Sequence, residues 1–363
     1  MLFGETTQTP AYGTPFQKGA CKAENGKGDF LKSRKFKDNI YPHANTIICI
    51  EESKLLKQFE YDILYNTRKL SATLDELNNM NYFHTYKNAD VENYGVMLDG
   101  LMIATFDFMK EIVPDELIWR IFALYYDIHN MKLVVKEKFL GKRLDSLALE
   151  YGSYSLPTIR SAAVRESDNI LNNAILTGGF FEALHTKDIY FVDFILDRTY
   201  FKTLRKLVEE LEIPEMTEFI IEKIDLFNVS VFFQSLAAGT PKGYFAMAFS
   251  DQGSFTLAEW QKYTDGSGDY AIEKFSLWQK YSSIWENAES RRQLFSELDV
   301  LIDNYLINKT KICKIMAFGI EPICAYFYNK FMEIKNIRIL LAGKENNYAP
   351  AEIKKRMRIP YEL

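Results

Sequence analysis

Two kinds of residue pair in this chain have the types and spacing to do chemistry. One is a glycine followed by a lysine after an apolar run, Leu340-Leu-Ala-Gly343-Lys344, which could cradle a phosphate, present a catalytic amine, or end a helix. The other is a carboxylate three residues ahead of an asparagine: Asp127-Ile-His-Asn130, Asp225-Leu-Phe-Asn228 and Glu333-Ile-Lys-Asn336. At that spacing both side chains lie on one helix face, where they could hold a ligand or bond a neighbouring helix.

The phosphate reading fails on spacing. A phosphate loop needs G-x-x-x-x-G-K-[ST], and here Glu345 follows Lys344 with no glycine at the required distance. The pair recurs as Gly141-Lys142, and around each acid and asparagine the surroundings repeat: Pro114, Pro214 and Pro322 upstream, Gly141, Gly239 and Gly343 downstream. Proline suits a helix start because its missing N–H is wasted there anyway, and glycine tolerates the left-handed cap past a helix end. The Gly-Lys pairs therefore predict helix ends, with a cation near the negative pole. Asp127 and Asp225 stand 98 residues apart, Asp225 and Glu333 108, which predicts three related helical units of about a hundred residues. The six residues Asp127, Asn130, Asp225, Asn228, Glu333 and Asn336 read as a structural bridge between helices.

The elements that must position them read as helices. Leu55, Phe59 and Ile63, then Leu70, Leu74 and Leu77, then Leu98, Leu101, Met102, Thr105 and Met109 fall at helical spacing. The same habit recurs at 189–211, 219–236, 294–305 and 320–341. Alternating strands are scarce, the best candidates being Ile47–Ile50 and Tyr244–Phe249. An all-α protein follows, since each apolar stripe needs another helix to cover it. The expected organisation is a polar, flexible tail at 1–40 and helical units at 41–147, 148–250 and 251–363.

Composition narrows the function classes. Of 363 residues, 47% are hydrophobic and 26% charged, with a net charge of −5, so no general basic field invites nucleic acid. The seven Lys or Arg between Gln17 and Lys37 read as a solvated arm, the alternative being contact with lipid headgroups or an acidic partner. No apolar run approaches the roughly 20 residues of a spanning helix. Cys21, Cys49, Cys313 and Cys324 form no CxxC pair and share no metal-ligand spacing with His43, His84, His129 and His185, so reduced, mostly buried thiols are expected. None of HExxH, GxSxG and GxGxxG occurs. No catalytic residue, cofactor or metal site is expected.

The stretch 317–357, AFGIEPICAYFYNKFMEIKNIRILLAGKENNYAPAEIKKRM, resembles the C-terminal signature of the C subunits of the V-type and A-type ATPases (ATP synthases), the counterparts of the d subunit of the eukaryotic vacuolar enzyme. Tyr41-Pro-His-Ala-Asn45, Ile50-Glu51 and Ser53-Lys-Leu-Leu56 are similar to that family's opening helix. The likeness covers roughly 41–357. It implies a funnel-like, all-helical body with pseudo-threefold symmetry and no catalysis of its own. Such a body sits peripherally on the cytoplasmic side of the membrane. There it couples a coiled-coil central shaft to the membrane proteolipid ring as part of the rotor, with the stator membrane subunit as a further contact. One departure is Phe331, where the family usually carries an acid; an ion pair made there is expected to be missing or moved. The rival reading is an all-helical adaptor outside any ATPase.

The compositional break at residue 40 gives the first prediction. A chain truncated to start near Tyr41 retains its helicity by circular dichroism and stays monodisperse; aggregation or lost helicity would overturn the assignment of 1–40 as dispensable for folding.

Overall fold

The computed structural model describes residues 40–83, 89–166, 171–238, 241–264, 291–316 and 318–362. Much of the 1–40 tail, as well as Cys21, His84 and Gly239, therefore lies outside the described residues. Those described form helices and turns with no strand. In chain order the α-helices are α1 (Pro42–Glu52), α2 (Gln58–Asn66), α3 (Leu70–Asn79), α4 (Tyr94–Ile112) and α5 (Glu116–Leu140). Then come α6 (Leu156–Arg165), α7 (Ala174–His185), α8 (Ile189–Glu210), α9 (Pro214–Ala238) and α10 (Pro241–Ala248). The last are α11 (Leu257–Thr264), α12 (Arg291–Thr310), α13 (Glu321–Glu345) and α14 (Pro350–Arg356). The acid and asparagine pairs lie on α5, α9 and α13, each 25 residues long.

The helix ends follow local chemistry. Asp115, Ser155, Asn173 and Asp188 each accept a main-chain N–H of the first turn of α5, α6, α7 and α8, satisfying donors that have no partner within a helix. Pro42, Pro214 and Pro322 sit in the first turns of α1, α9 and α13. Gly141 ends α5 at φ 63°, the left-handed conformation glycine adopts at low cost.

Three apolar clusters bury the helices. The first gathers α1, α5, α7, α8 and the start of α13 around Ile48, Leu124, Ile128, Phe180, Leu196 and Phe327. The second joins α2, α3, α4, the second half of α13 and α14 through Leu64, Leu74, Leu98, Ile337, Leu340 and Ile353. The third holds α9 to α12 around Leu226, Phe232, Phe245, Trp260 and Leu298. Because α13 belongs to two clusters, it is buried along most of its length, with Lys335 and Arg338 among its exposed positions. Outside the core, α5 is stitched to α8 by Lys132 to Asp197 at 2.7 Å and Lys136 to Asp193 at 2.9 Å, partly exposed pairs that contribute at most about 1 kcal/mol each.

Both strand candidates are helical. Ile47–Ile50 lies in α1, which buries Ile48 and leaves Ile50 exposed; a short apolar run does not by itself distinguish strand from helix. Tyr244–Phe249 lies mostly in α10, where Phe245, Ala248 and Phe249 are buried, the i, i+3, i+4 pattern of one helix face. The thiols also depart from expectation: Cys324 is buried, Cys313 intermediate and Cys49 exposed.

The adjacent glycines of α7 test the packing. A Cβ on Gly179 would lie 1.9 Å from Thr199 Oγ1 on α8, whereas one on Gly178 would meet nothing within 4 Å. Gly179→Ala is therefore expected to lower unfolding free energy by about 1 to 3 kcal/mol or more. Gly178→Ala is expected to raise it by roughly 0.5 to 1 kcal/mol. Urea denaturation of the two variants measures the contrast, and equal effects would mean that the α7–α8 contact is looser than described.

Candidate functional site: clamps on three long helices

Each of the three asparagines is spent on the main chain of one residue. Asn130 donates through Nδ2 to Leu149 O at 2.7 Å and accepts Leu149 N–H at 3.0 Å. Asn228 does the same with Ser250 at 2.9 and 2.9 Å, and Asn336 with Arg358 at 3.0 and 2.9 Å. The partners lie 19, 22 and 22 residues downstream, in segments between or after helices rather than on a helix flank. All three asparagines are at most 2% exposed. A carboxamide buried this deeply is tolerated because both its donor and its acceptor are used.

The acids complete the clamps. Asp127 Oδ1 accepts Tyr154 N–H at 3.0 Å and Asp225 Oδ1 accepts Ser254 N–H at 2.8 Å. Ser153 also bonds Asp127 with its side chain, as Ser254 does Asp225. Both acids sit against a glycine: a Cβ on Gly152 would lie 2.3 Å from Asp127 Oδ1, and one on Gly253 2.3 Å from Asp225 Oδ1. The sequence carries this as Gly152-Ser-Tyr-Ser-Leu156 and Gly253-Ser-Phe-Thr-Leu257, a second repeat that inspection of the acid and asparagine pairs alone misses. Ser155 and Thr256, one step on, cap α6 and α11.

The third acid behaves differently. Glu333 Oε2 accepts Leu56 N–H at 2.6 Å, 277 residues away. Its Oε1 pairs with Lys330 Nζ at 2.6 Å, and Lys330 lies over the Tyr82 ring. Phe331 packs at 5.0 Å from the Phe106 ring and 5.6 Å from Phe122, so an apolar seam between α4, α5 and α13 occupies that place.

In the C-terminal copy the Gly-Lys pair lies in the last turn of its helix, and the glycine is not the cap. Gly343 lies inside α13, which runs to Glu345, and a Cβ there would come 2.7 Å from Ile353 on α14. Lys344, 7% exposed, donates to Tyr65 O at 2.9 Å and to Thr67 O. A cation thus caps the carbonyl end of α2, while burial lowers the pKa of its amine. In the other copy Gly141 does cap α5, and Lys142 is exposed.

Burial also raises the Asp127 carboxyl, to about 6, against the opposing bonds from Tyr154 and Ser153; Asp225 is raised for the same reason. Among the described residues no group of three or more His, Cys, Asp or Glu is placed to hold a metal, and no helix is long and apolar enough to cross a membrane. His129 and His185 each bond a main-chain carbonyl.

The arrangement defines an all-α scaffold in which long helices grip, through buried polar pairs, the chain segments that follow or close them. A family model described as ATP synthase (C/AC39) subunit matches residues 44–356, and the chain belongs to that family. It is 26% identical over 330 residues to the V-type sodium ATPase C subunit of Enterococcus hirae, covering 89% of this chain and 99% of that one. It is 23% identical over 341 residues to the A-type ATP synthase C subunit of Methanocaldococcus jannaschii, covering 86% and 85%. The counterpart from Methanosarcina acetivorans is 24% identical over 357 residues, covering 92% and 97%.

Two outcomes are expected at the clamps. Asn228→Ala strands the Ser250 main-chain groups and lowers stability by about 1 to 3 kcal/mol; an unchanged melting temperature would show the bond to be dispensable. For Asp127, the folded carboxyl titrates above its unfolded value, so between about pH 4 and 6 the folded state holds more protons. Stability then falls as pH rises through that window, by on the order of 2 to 3 kcal/mol. Asp127→Asn keeps an acceptor for Tyr154 and removes this slope. Urea titrations of both proteins at pH 4.5 and 7 check it, and a difference that does not change with pH would count against the assignment.

Proposed function

We propose that this chain is the non-catalytic rotor subunit that couples the central shaft of a V/A-type rotary ATPase to its membrane proteolipid ring. The observation that carries this reading is the family match across 44–356 together with near-complete coverage of the Enterococcus hirae relative. In this reading the body consists of three helical units, at 41–147, 148–250 and 251–363, arranged as a pseudo-threefold funnel. It lies peripherally on the cytoplasmic side of the membrane. Its partners are the coiled-coil shaft subunit, the proteolipid ring and the stator membrane subunit.

The physical character of the chain supports the role. A torque coupler must not deform between its two loads, and close-packed helix interiors have low compressibility. The most conspicuous polar residues, on α5, α9 and α13, are turned inward to fix chain segments rather than toward a reaction space.

Purification from native membranes in mild detergent, with mass spectrometry of what travels along, tests the proposal. The expected companions are a proteolipid, a coiled-coil shaft subunit and nucleotide-binding head subunits. Recovery alone, or with unrelated soluble proteins, would replace the rotor reading with a helical adaptor outside an ATPase.

A further inference from the structure

The third clamp differs from the first two in where its carboxylate finds a donor. Asp127 and Asp225 take main-chain N–H groups one and two residues before the N-caps of α6 and α11, helices that follow in sequence. Glu333 takes Leu56 N–H, one residue before Lys57, the N-cap of α2. The seat filled downstream in the first two clamps is thus filled from the beginning of the described chain in the third. Of the residues after Arg358, Ile359 N–H donates to Asn304 Oδ1 at 2.8 Å and Tyr361 OH to Thr310 O at 3.2 Å, and neither donates to Glu333.

Further contacts converge on the same segment. Glu362 Oε1 accepts Gln58 N–H at 2.7 Å, at the start of α2, and Lys344 caps its far end. Asn45 Nδ2 on α1 donates to Gly319 O at 2.9 Å. Leu56, Tyr61 and Leu64 are buried in the cluster that holds Ile337, Leu340 and Leu341, and Ile48 of α1 in the one that holds Ile323 and Phe327.

We propose that residues 41–66 complete the C-terminal unit, which carries a built docking surface for a helix start bearing Leu55 and Leu56, so that the body is closed into a ring by a non-covalent seam. The unit boundaries proposed above shift accordingly: the first unit begins near Leu70 rather than at residue 41, and the third is split between the two ends of the described chain. The proposal takes the three-unit division from the reading above but not the rotor role, and it rests on the hydrogen bonds and buried clusters just described.

Arg68 and Lys69, both exposed, mark the place to cut. In the full chain with a specific protease site inserted between them, cleavage is expected to leave the fragment ending at Arg68 bound to the remainder on size exclusion, with helicity unchanged. Glu333→Ala combined with Lys344→Met is expected to speed release of that fragment at least tenfold, whereas Asp225→Ala in the second clamp leaves the release rate unchanged. Departure of the fragment on simple cleavage, or equal retention in both variants, would overturn the proposal. A circular permutant that begins at Lys69 and ends at Arg68, with residues 1–40 as the connection after Leu363, covers the case in which a variant does not fold. It is expected to match the parent in circular dichroism and to melt within a few degrees of it, and failure of the permutant to fold would equally refute the split unit.

Discussion

A carboxamide inside a helical core is costly unless both of its polar groups are bonded, and the rest of this structure is arranged around meeting that requirement three times. Asn130, Asn228 and Asn336 each close a two-bond ring with the main chain of a single residue. A main-chain partner cannot slide by one residue without breaking both bonds, so each long helix fixes the register of a segment that has no regular structure of its own. The neighbouring acid extends the grip to the residues that open another helix. Apolar burial supplies most of the favourable free energy, but it is non-directional; the clamps give it direction.

How much of this was legible in the sequence depended on how local the signal was. Helices with clear stripes, such as the one carrying Leu98, Leu101 and Met109, could be read because the period runs over several turns. The segments Ile47–Ile50 and Tyr244–Phe249 stood out as the best strand candidates because a run of a few apolar residues has no period to measure, and tertiary burial decided them as helical. The recurrence of acid and asparagine was visible; the identity of the groups they bond was not, because Leu149, Ser250 and Arg358 contribute main-chain atoms, which every residue type possesses. The glycines at 152 and 253 were the missed clue, since only a residue without a side chain lets the carboxylate approach. Lys344 lies in the last turn of its own helix, as the spacing suggests, but spends its amine on the end of α2, a long-range fact that no local pattern encodes.

Membership of the ATP synthase (C/AC39) subunit family at 21% to 26% identity to the curated relatives fits this distribution of constraints. Helical cores tolerate extensive apolar substitution so long as pattern and volume persist; in this chain Phe331 fills its place by stacking on Phe106 and packing tilted against Phe122.

The bond between Leu56 and Glu333 spans 277 positions of the chain. A ribosome adding about 5 to 20 residues per second makes Leu56 roughly a quarter of a minute to a minute before it makes Glu333. During that interval Leu56, Tyr61 and Leu64 have been synthesised while Ile337, Leu340 and Leu341, with which they are buried in the finished protein, do not yet exist. The first of the described helices to emerge are therefore among the last of them to reach their final surroundings, and for most of the synthesis of the described residues the nascent chain presents them to whatever chaperone or neighbouring polypeptide stands near the exit tunnel.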